Sequence, residues 1–308
     1  MKKLSIITPV FNEEKTISIF CEHLLVFKNQ IANYRLEWLI VDDGSSDNTP
    51  FIIDTLCNNQ QFIRGVIFSR NFGKEAALFA GLEHSEGDII IPMDIDLQDP
   101  FEVILQMLQE YENGADVVLA KRTNRESDSL FKRKTAQWFY SINNKMSSLK
   151  LEENVGDFRL MTRQVVDEII RLQENQLFMK GLMSWVGFNT AIVTYKRPIR
   201  TEGKTKFNFF KLWNLAVQGI TSFSTIPLKV WSYFGGFVSL ISFLFGLKII
   251  FEKIFLGISV SGYASLMVAI LFFGGVQLIG IGVLGEYIGR TYIESKRRPK
   301  YIIKKKMD

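Results

Sequence analysis

The sequence predicts an α/β protein, a mostly parallel sheet with flanking helices, followed by a C-terminal hairpin of two membrane-crossing helices. Two patterns carry that expectation. Over residues 1 to about 120, short apolar runs rich in β-branched residues alternate with helical patterns, as in parallel strands covered on both faces. Further on, Val230 to Leu247 and Ala264 to Gly285 carry no charge. Each run is about 20 residues, which at ~1.5 Å per residue spans a ~30 Å hydrocarbon core.

In chain order, "LSIITPV" reads as the first strand, followed by a helical stretch from Glu13, then "LEWLIVDD". Asp47 has the character of an N-cap for the next helix. "IRGVIFS", a helix from Lys74 to Glu83, "DIIIPMD", a helix opened by Pro100, and "ADVVLA" complete the series. Ligands of such sheets bind beyond the carboxyl ends of the strands. Past Lys121 the pattern loosens. Ser129 to Met146 reads as a helix with Phe131, Thr135, Trp138, Ile142 and Met146 on one face, and an aromatic-rich helix runs from Phe207 to about Phe223. Both fit the membrane surface. Packing on the sheet is the alternative, equally open for the first helix and disfavoured for the second by its adjacency to a span. The expected division is an α/β domain over 1–206, a juxtamembrane helix over 207–229, spans at about 230–251 and 264–286, and a basic tail over 287–308.

Composition agrees with a membrane-anchored protein. The 308 residues are 47% hydrophobic and include 26 phenylalanines, high for a soluble enzyme. Cys21 and Cys57 have no metal-ligand spacing and suggest a reducing compartment, and the isolated His23 and His84 argue against a histidine metal site. Pro9 and Asn12-Glu13-Glu14 interrupt the N-terminal apolar run, so no signal-peptide core is expected. Seven basic residues from Lys196 to Lys229 precede the first span and eight from Arg290 to Lys306 follow the second. This places both flanks in the cytoplasm. Membrane topology thus accounts for much of the net charge of +5, with no need of nucleic acid.

Acidic residues cluster where the strands end. Residues two apart on a strand share a face, so Asp94 and Asp96 project together with Ile95 turned away. Like charges this close repel unless a cation sits between them. A hard divalent ion satisfies both, and Gln98 offers a further oxygen. Asp99-Pro100 reads as a helix start with Asp99 as N-cap. Asp42 and Asp43 suit either hydrogen bonds to a base or ribose, or a turn completed by Gly44 to Asp47. Asp157, just before an apparent strand Phe158 to Met161, is as readily a cap or ion-pair partner as a catalyst.

In combination, "ITPVFNEE", "VDDGSSDNT" and "DIDLQDP" resemble the family 2 glycosyltransferases with their GT-A, Rossmann-like fold. "RNFGKEAALFAG", "AKRTNRES", "ENVGDFRLM" and "LGEYIGRTYIESKRRPKYII" resemble, more narrowly, the polyprenyl-phosphate glycosyltransferases, and among them the bactoprenol glucosyltransferases of O-antigen modification. The resemblance implies inverting transfer of glucose from UDP-glucose to undecaprenyl phosphate at the cytoplasmic leaflet of a bacterial inner membrane, by a homo-oligomer (tetrameric in relatives). It carries the uridine site onto Pro9, Phe11, Asn12, Glu13, Asp42 and Asp43, and nucleotide-sugar contacts onto Lys74 and Asp94. Mg²⁺ or Mn²⁺ falls on Asp94 and Asp96 with Gln98 nearby, and catalytic roles fall on Asp157, Asp96 and Arg122. Arg122, Lys134, Arg200 and Lys204 match candidates for the acceptor phosphate, although "KRKT" leaves the residue at the Lys134 position open. An ion pair is the alternative for Arg122.

Chemistry bears on Asp157. A phosphate acceptor has a second pKa near ~6 and needs no general base. Asp157 is therefore expected to position groups or to stabilise an oxocarbenium-like sugar. Glu286 and Arg290 are expected to pair one turn apart, and Gly274-Gly275 to permit close helix contact in an oligomer. A processive polysaccharide synthase and a non-catalytic nucleotide-sugar binder are the competing readings. The first usually carries a Q-x-x-R-W motif and more spans, absent here.

Overall fold

The computed structural model describes residues 1–123, 152, 154–172, 174–175, 177–196, 225–256 and 262–307. The chain forms two units, Met1–Gly219 with Arg298–Asp308, and Ile220–Arg297. The expected helices over 129–146 and 207–223 lie outside the described residues.

In the first unit, β1 (Lys2–Val10), β2 (Tyr34–Asp42), β3 (Ile63–Phe68) and β4 (Ile89–Pro92) are parallel. They are joined through α1 (Thr16–Lys28), α2 (Thr49–Asn59) and α3 (Lys74–His84). After α4 (Phe101–Glu112) come β5 (Val117–Arg122), β6 (Val155–Thr162), α5 (Arg163–Arg171), α6 (Met179–Trp185) and β7 (Thr190–Tyr195). A last strand, β8 (Ile303–Met307), closes the order β7-β5-β6-β4-β1-β2-β3-β8. β6 and β8 run antiparallel to their neighbours. The expected α/β layering is present because the central strands are predominantly apolar, with Ser5, Thr8 and Glu37 as buried exceptions. Leu36 to Asp42 is buried without a break, and Trp38 stacks on Phe20, which packs against Phe101.

The connectivity creates the site. The chain lays β2 and β3 on one side of β1, then returns to lay β4 on the other. The crevice between the carboxyl ends of β1 and β4 is therefore a topological switch point, where α/β sheets receive ligands. Because β6 is antiparallel to β4, its N-terminal end, with Asp157, arrives at the same edge.

Three local expectations change. β4 stops at Pro92, so Asp94 and Asp96 stand on a turn beyond the strand; Leu97 in that turn has φ 56°. Ile95 still turns into the core while both carboxylates remain partly exposed, so the outcome of strand alternation is reproduced by a turn. Asp99 does not cap α4: Pro100 holds the N-cap position with no side-chain bond, and Asp99 is 3% exposed. The basic tail is not only a tail, since Ile303–Met307 pairs with β3. Tyr301 stacks on Phe68 at 4.9 Å and donates to Glu83 at 2.5 Å, while Lys300 lies 3.6 Å over the Phe79 ring. Lysines along an edge strand discourage further pairing, and those same lysines give the segment its tail-like composition.

The second unit contains α7 (Ile226–Leu256) and α8 (Tyr263–Ser295). Within them Leu228–Ile249 and Ser265–Ser295 are long and apolar enough to cross a membrane, and their apolar side chains are mostly exposed. That is weak support for membrane association. Glu286 and Arg290 pair at 2.8 Å, as expected. Within the hairpin itself the close contact falls at Gly280. A Cβ on Gly280 would collide with the Trp231 indole, whereas one on Gly274 or Gly275 would meet nothing within 4 Å.

Candidate active site

Two loops form the left wall of the crevice and brace each other. Asn12, at φ 56°, accepts the Ser46 N–H on its Oδ1 at 2.9 Å and donates its own N–H to Ser45 Oγ at 2.8 Å. The Glu13 N–H donates to Thr49 Oγ1 at 2.9 Å. Asp42, fully buried, accepts the Ser45 N–H and hydroxyl. Asp43 takes the N–H groups of Phe72 at 2.6 Å and Gly73 at 2.9 Å. Burial pushes both aspartates above the usual carboxylate range, against these hydrogen bonds. Both carboxylates thus act first as braces for the turns. Pro9 lies opposite Val41 near the end of β1, and Phe11 beyond it is exposed.

The brace from Asp43 sets the start of α3, and Lys74 is the first residue of that helix. Its ammonium lies 2.6 Å from Asp94 Oδ1 and 3.2 Å from Asp157 Oδ2. Burial would lower the Lys74 pKa, but Asp94 and Asp157 hold it above its ordinary value. Burial would likewise raise Asp157; Lys74 first, then Lys180 and Arg159, outweigh it and keep the carboxyl below the usual range. Asp157 is consequently anionic at neutral pH.

On the right wall, Arg122 ends β5 and donates from Nε to the Tyr195 hydroxyl at 3.1 Å. That hydroxyl donates to Asp99 Oδ1 at 2.5 Å, and the Arg122 to Asp99 separation is 3.8 Å. Burial and then Asp99 push Tyr195 up to about 12. Gly156 admits the guanidinium, because a Cβ there would stand 3.1 Å from Arg122 Nη2. Arg122 is thus anchored beside Gly156, the neighbour of Asp157, and Asp94 adds to the attraction that keeps the guanidinium cationic. The ion-pair alternative for Arg122 is present in loose form. Asp99, read as a cap, is instead the buried end of this chain.

A divalent ion fits the residues present. Asp94 already attracts a cation in Lys74, and Asp96 stands two residues away with its Oδ1 accepting the Gln98 N–H at 3.1 Å. No cluster of three or more metal-ligating side chains occurs among the described residues. An ion bound here would have one or two carboxylates and complete its shell with water and phosphate oxygens, the habit of Mg²⁺.

Lys74, Asp94, Asp157 and Arg122 therefore converge, with Asp96 and Gln98 on the adjoining turn. Lys134, Arg200 and Lys204 lie outside the described residues. Sequence reasoning missed Tyr195, Glu75, Arg159 and Lys180. Glu75 accepts the Met179 N–H at 2.7 Å and ties α6 to α3. Arg159 was accessible in principle, since it follows Asp157 by two on a strand; nothing local marked Tyr195.

Comparison with known proteins gives a consistent picture. Residues 5–170 match the family described as Glycosyl transferase family 2. A "Prophage bactoprenol glucosyl transferase homolog" of Escherichia coli (strain K12) is 55% identical over 303 residues, covering 98% of this chain and 99% of that protein. The "Bactoprenol glucosyl transferase" of Shigella phage SfV is 56% identical over 302 residues, 98% of each. An uncharacterized glycosyltransferase of Synechocystis sp. is 46% identical over 303 residues, 98% of this chain and 94% of the other.

Proposed function

Since the chain belongs to glycosyl transferase family 2, we propose that it is a membrane-anchored enzyme moving glucose from UDP-glucose to undecaprenyl phosphate, with inversion and release of UDP. The convergence of Lys74, Asp94, Asp157 and Arg122 at the switch-point edge carries this reading. The full-length likeness to proteins named for bactoprenol glucosyl transfer supports the choice of substrates.

In this reading Pro9, Phe11, Asn12 and Glu13 line the nucleoside pocket, and Asp42 and Asp43 shape it by holding its loops. Mg²⁺ or Mn²⁺ would be held by Asp94 and Asp96, with Gln98 adjacent. When bound, the ion neutralises charge building on the departing diphosphate. Lys74 bridges Asp94 and Asp157 and so keeps a second positive charge beside the diphosphate and sugar. Arg122, oriented by Tyr195, meets the acceptor phosphate, together with Lys134, Arg200 and Lys204.

That phosphate is already anionic at neutral pH, its second pKa being about 6. Asp157, held low by three cations, is a poor proton acceptor. Its anionic carboxylate suits electrostatic stabilisation of an oxocarbenium-like sugar. The two apolar helices anchor the enzyme in the inner membrane, with the catalytic unit and both termini cytoplasmic. Oligomerisation through the hairpin and a role in O-antigen or other envelope glycan modification belong to the same proposal.

The test is to incubate the purified full chain with labelled UDP-glucose, undecaprenyl phosphate and Mg²⁺. A chloroform-soluble glucose lipid is expected, with loss of product on Asp96→Asn. Growing polymer, or binding without product, overturns the reading. For Asp157→Asn, turnover is expected to stay low as pH rises through the acceptor's second pKa; recovery there would restore a base role.

A further inference from the structure

Residues Arg298–Asp308 belong to the first unit, although α7 and α8 separate them from it in the chain and they lie outside residues 5–170 that match the family. They meet the sheet at β3, the strand that leads into the Lys74 loop. Lys305 opposes Ile67 and Ile303 opposes Phe68, so β8 carries one extra residue, Lys304. Such a bulge bends the strand that carries it. Past the bulge the pairing continues one step beyond β3, where the Ser69 N–H donates to the Ile302 carbonyl at 2.9 Å. Tyr301 then lies flat on Phe68, at 4.9 Å and 12°, and Phe68 in turn meets Phe72 edge-on at 5.8 Å. The Tyr301 hydroxyl donates to Glu83 and lies 3.0 Å from His84 Nε2, both in the last turn of α3. Lys300 covers the Phe79 ring and donates to the Leu172 carbonyl at 3.0 Å. One short segment therefore holds α3 along its length and the chain that enters it.

That entering chain, from Ser69 to Gly73, has no regular structure. On one side the β2 turn grips it. Phe72 and Gly73 donate to Asp43, and the Arg70 backbone packs so closely on Gly44 that a Cβ there would collide with it. On the other side the grip comes from Ile302 and Tyr301. The loop ends at Lys74, whose ammonium must reach Asp94 and Asp157. A loop held on one side only has more conformations to lose when a ligand orders it. A misplacement of about 1 Å at a reacting centre can cost ~100-fold in rate.

We propose that Tyr301 is a positioning residue. With Ile302 it clamps the β3–α3 loop, and so holds Lys74 and the Asp43 brace in the arrangement that receives the nucleotide diphosphate. The identity of that ligand rests on the proposed glycosyl transfer, whereas the clamp rests on the contacts alone. The crevice is thus completed by the segment that follows α8, and Tyr301 acts on it through Phe68 and the loop without touching substrate.

The experiment uses the full chain in detergent micelles, as the parent, Tyr301→Ala and Tyr301→Phe. Amide hydrogen exchange read by mass spectrometry compares residues 69–77 with β1 and β5. Steady-state KM is measured for UDP-glucose and for undecaprenyl phosphate separately. In Tyr301→Ala, exchange over 69–77 and KM for UDP-glucose should each rise about tenfold, the factor that a lost aromatic stack supplies. Exchange in β1 and β5, and KM for the lipid, should stay at the parent's values. Tyr301→Phe keeps the ring on Phe68 and should return both quantities to within about twofold of the parent. Exchange over 69–77 at the parent's rate in Tyr301→Ala, or equally faster exchange in β1 and β5, overturns the proposal. So does faster local exchange with KM for UDP-glucose unchanged, or an equal rise in both KM values. The exchange arm needs no substrate, so absence of a glucose lipid from the parent would count against the proposed function and leave that arm to decide this one.

Discussion

Replacing Tyr195 by Phe removes one oxygen from the buried chain Arg122–Tyr195–Asp99. That oxygen accepts from Arg122 Nε at 3.1 Å and donates to Asp99 at 2.5 Å. Both partners are charged, and hydrogen bonds to charged groups contribute about 1.5–3 kcal/mol each. Asp99 keeps other contacts and has Arg122 at 3.8 Å, so the lower end applies. The expected loss is about 3 kcal/mol, or ~6–12 °C in Tm at ~2–4 °C per kcal/mol for a unit of this size. Unfolding of the full chain in micelles can be followed with a thiol-reactive dye, because Cys21 is 5% exposed in the folded core. Tyr34→Phe is the control: its hydroxyl meets Glu112 at an exposed site and should cost under about 1 kcal/mol. Equal melting temperatures for Tyr195→Phe and the parent would refute the assignment of Asp99 and Tyr195 as the anchor of Arg122.

The opposite edge of the sheet gives an acid-stability prediction. Glu37 is buried; burial would raise its pKa, but Ser5, the Glu86 N–H, Lys3 and Arg64 together hold it low. A depressed carboxylate stabilises the fold above its unfolded pKa of about 4.3 and loses that contribution as pH falls through the lower folded value. Glu37→Gln should therefore flatten the acid limb of the stability profile and cost about 1–3 kcal/mol at pH 7, since Lys3 and Arg64 lose one charged partner but keep Glu86; an unchanged limb in denaturant titrations from pH 7 to 3 counts against it. Gly280→Leu should force the Trp231 indole away and shift its fluorescence, and an unaltered spectrum would contradict the helix contact. Tyr301→Ala removes the stack on Phe68 and the bond to Glu83. It should cost about 1–3 kcal/mol and expose Lys304 to Lys306 to trypsin, whereas cleavage at the parent's rate would show that β8 does not depend on this residue.

Much of the molecule was legible in one dimension. Short β-branched runs such as "WLIV" between turn signals mark strands covered on both faces, and uncharged runs of about 20 residues suit only an apolar surrounding. Aspartates gathered at strand ends mark a ligand edge because carboxylates taken out of water need cations or N–H groups. These signals depend on residue type and local period, which the chain itself carries.

Long-range pairing decided the rest. Asp-Pro carries a local preference for a helix start, but the tertiary fold brings Tyr195 to Asp99 across 96 positions, and that bond overrides it. Lys74 is an ordinary first-turn lysine until β4 and β6 bring Asp94 and Asp157 to it from opposite strand directions. Lysines in "YIIKKKM" suggest a solvated tail, and only the open edge of β3 makes it a strand. The sequence by itself determined which residues must be buried, which must meet water or lipid, and which carry charge to a strand end. The tertiary structure alone decided which charges meet, because electrostatic partnership depends on distance in space, and that is set by the order in which the strands assemble.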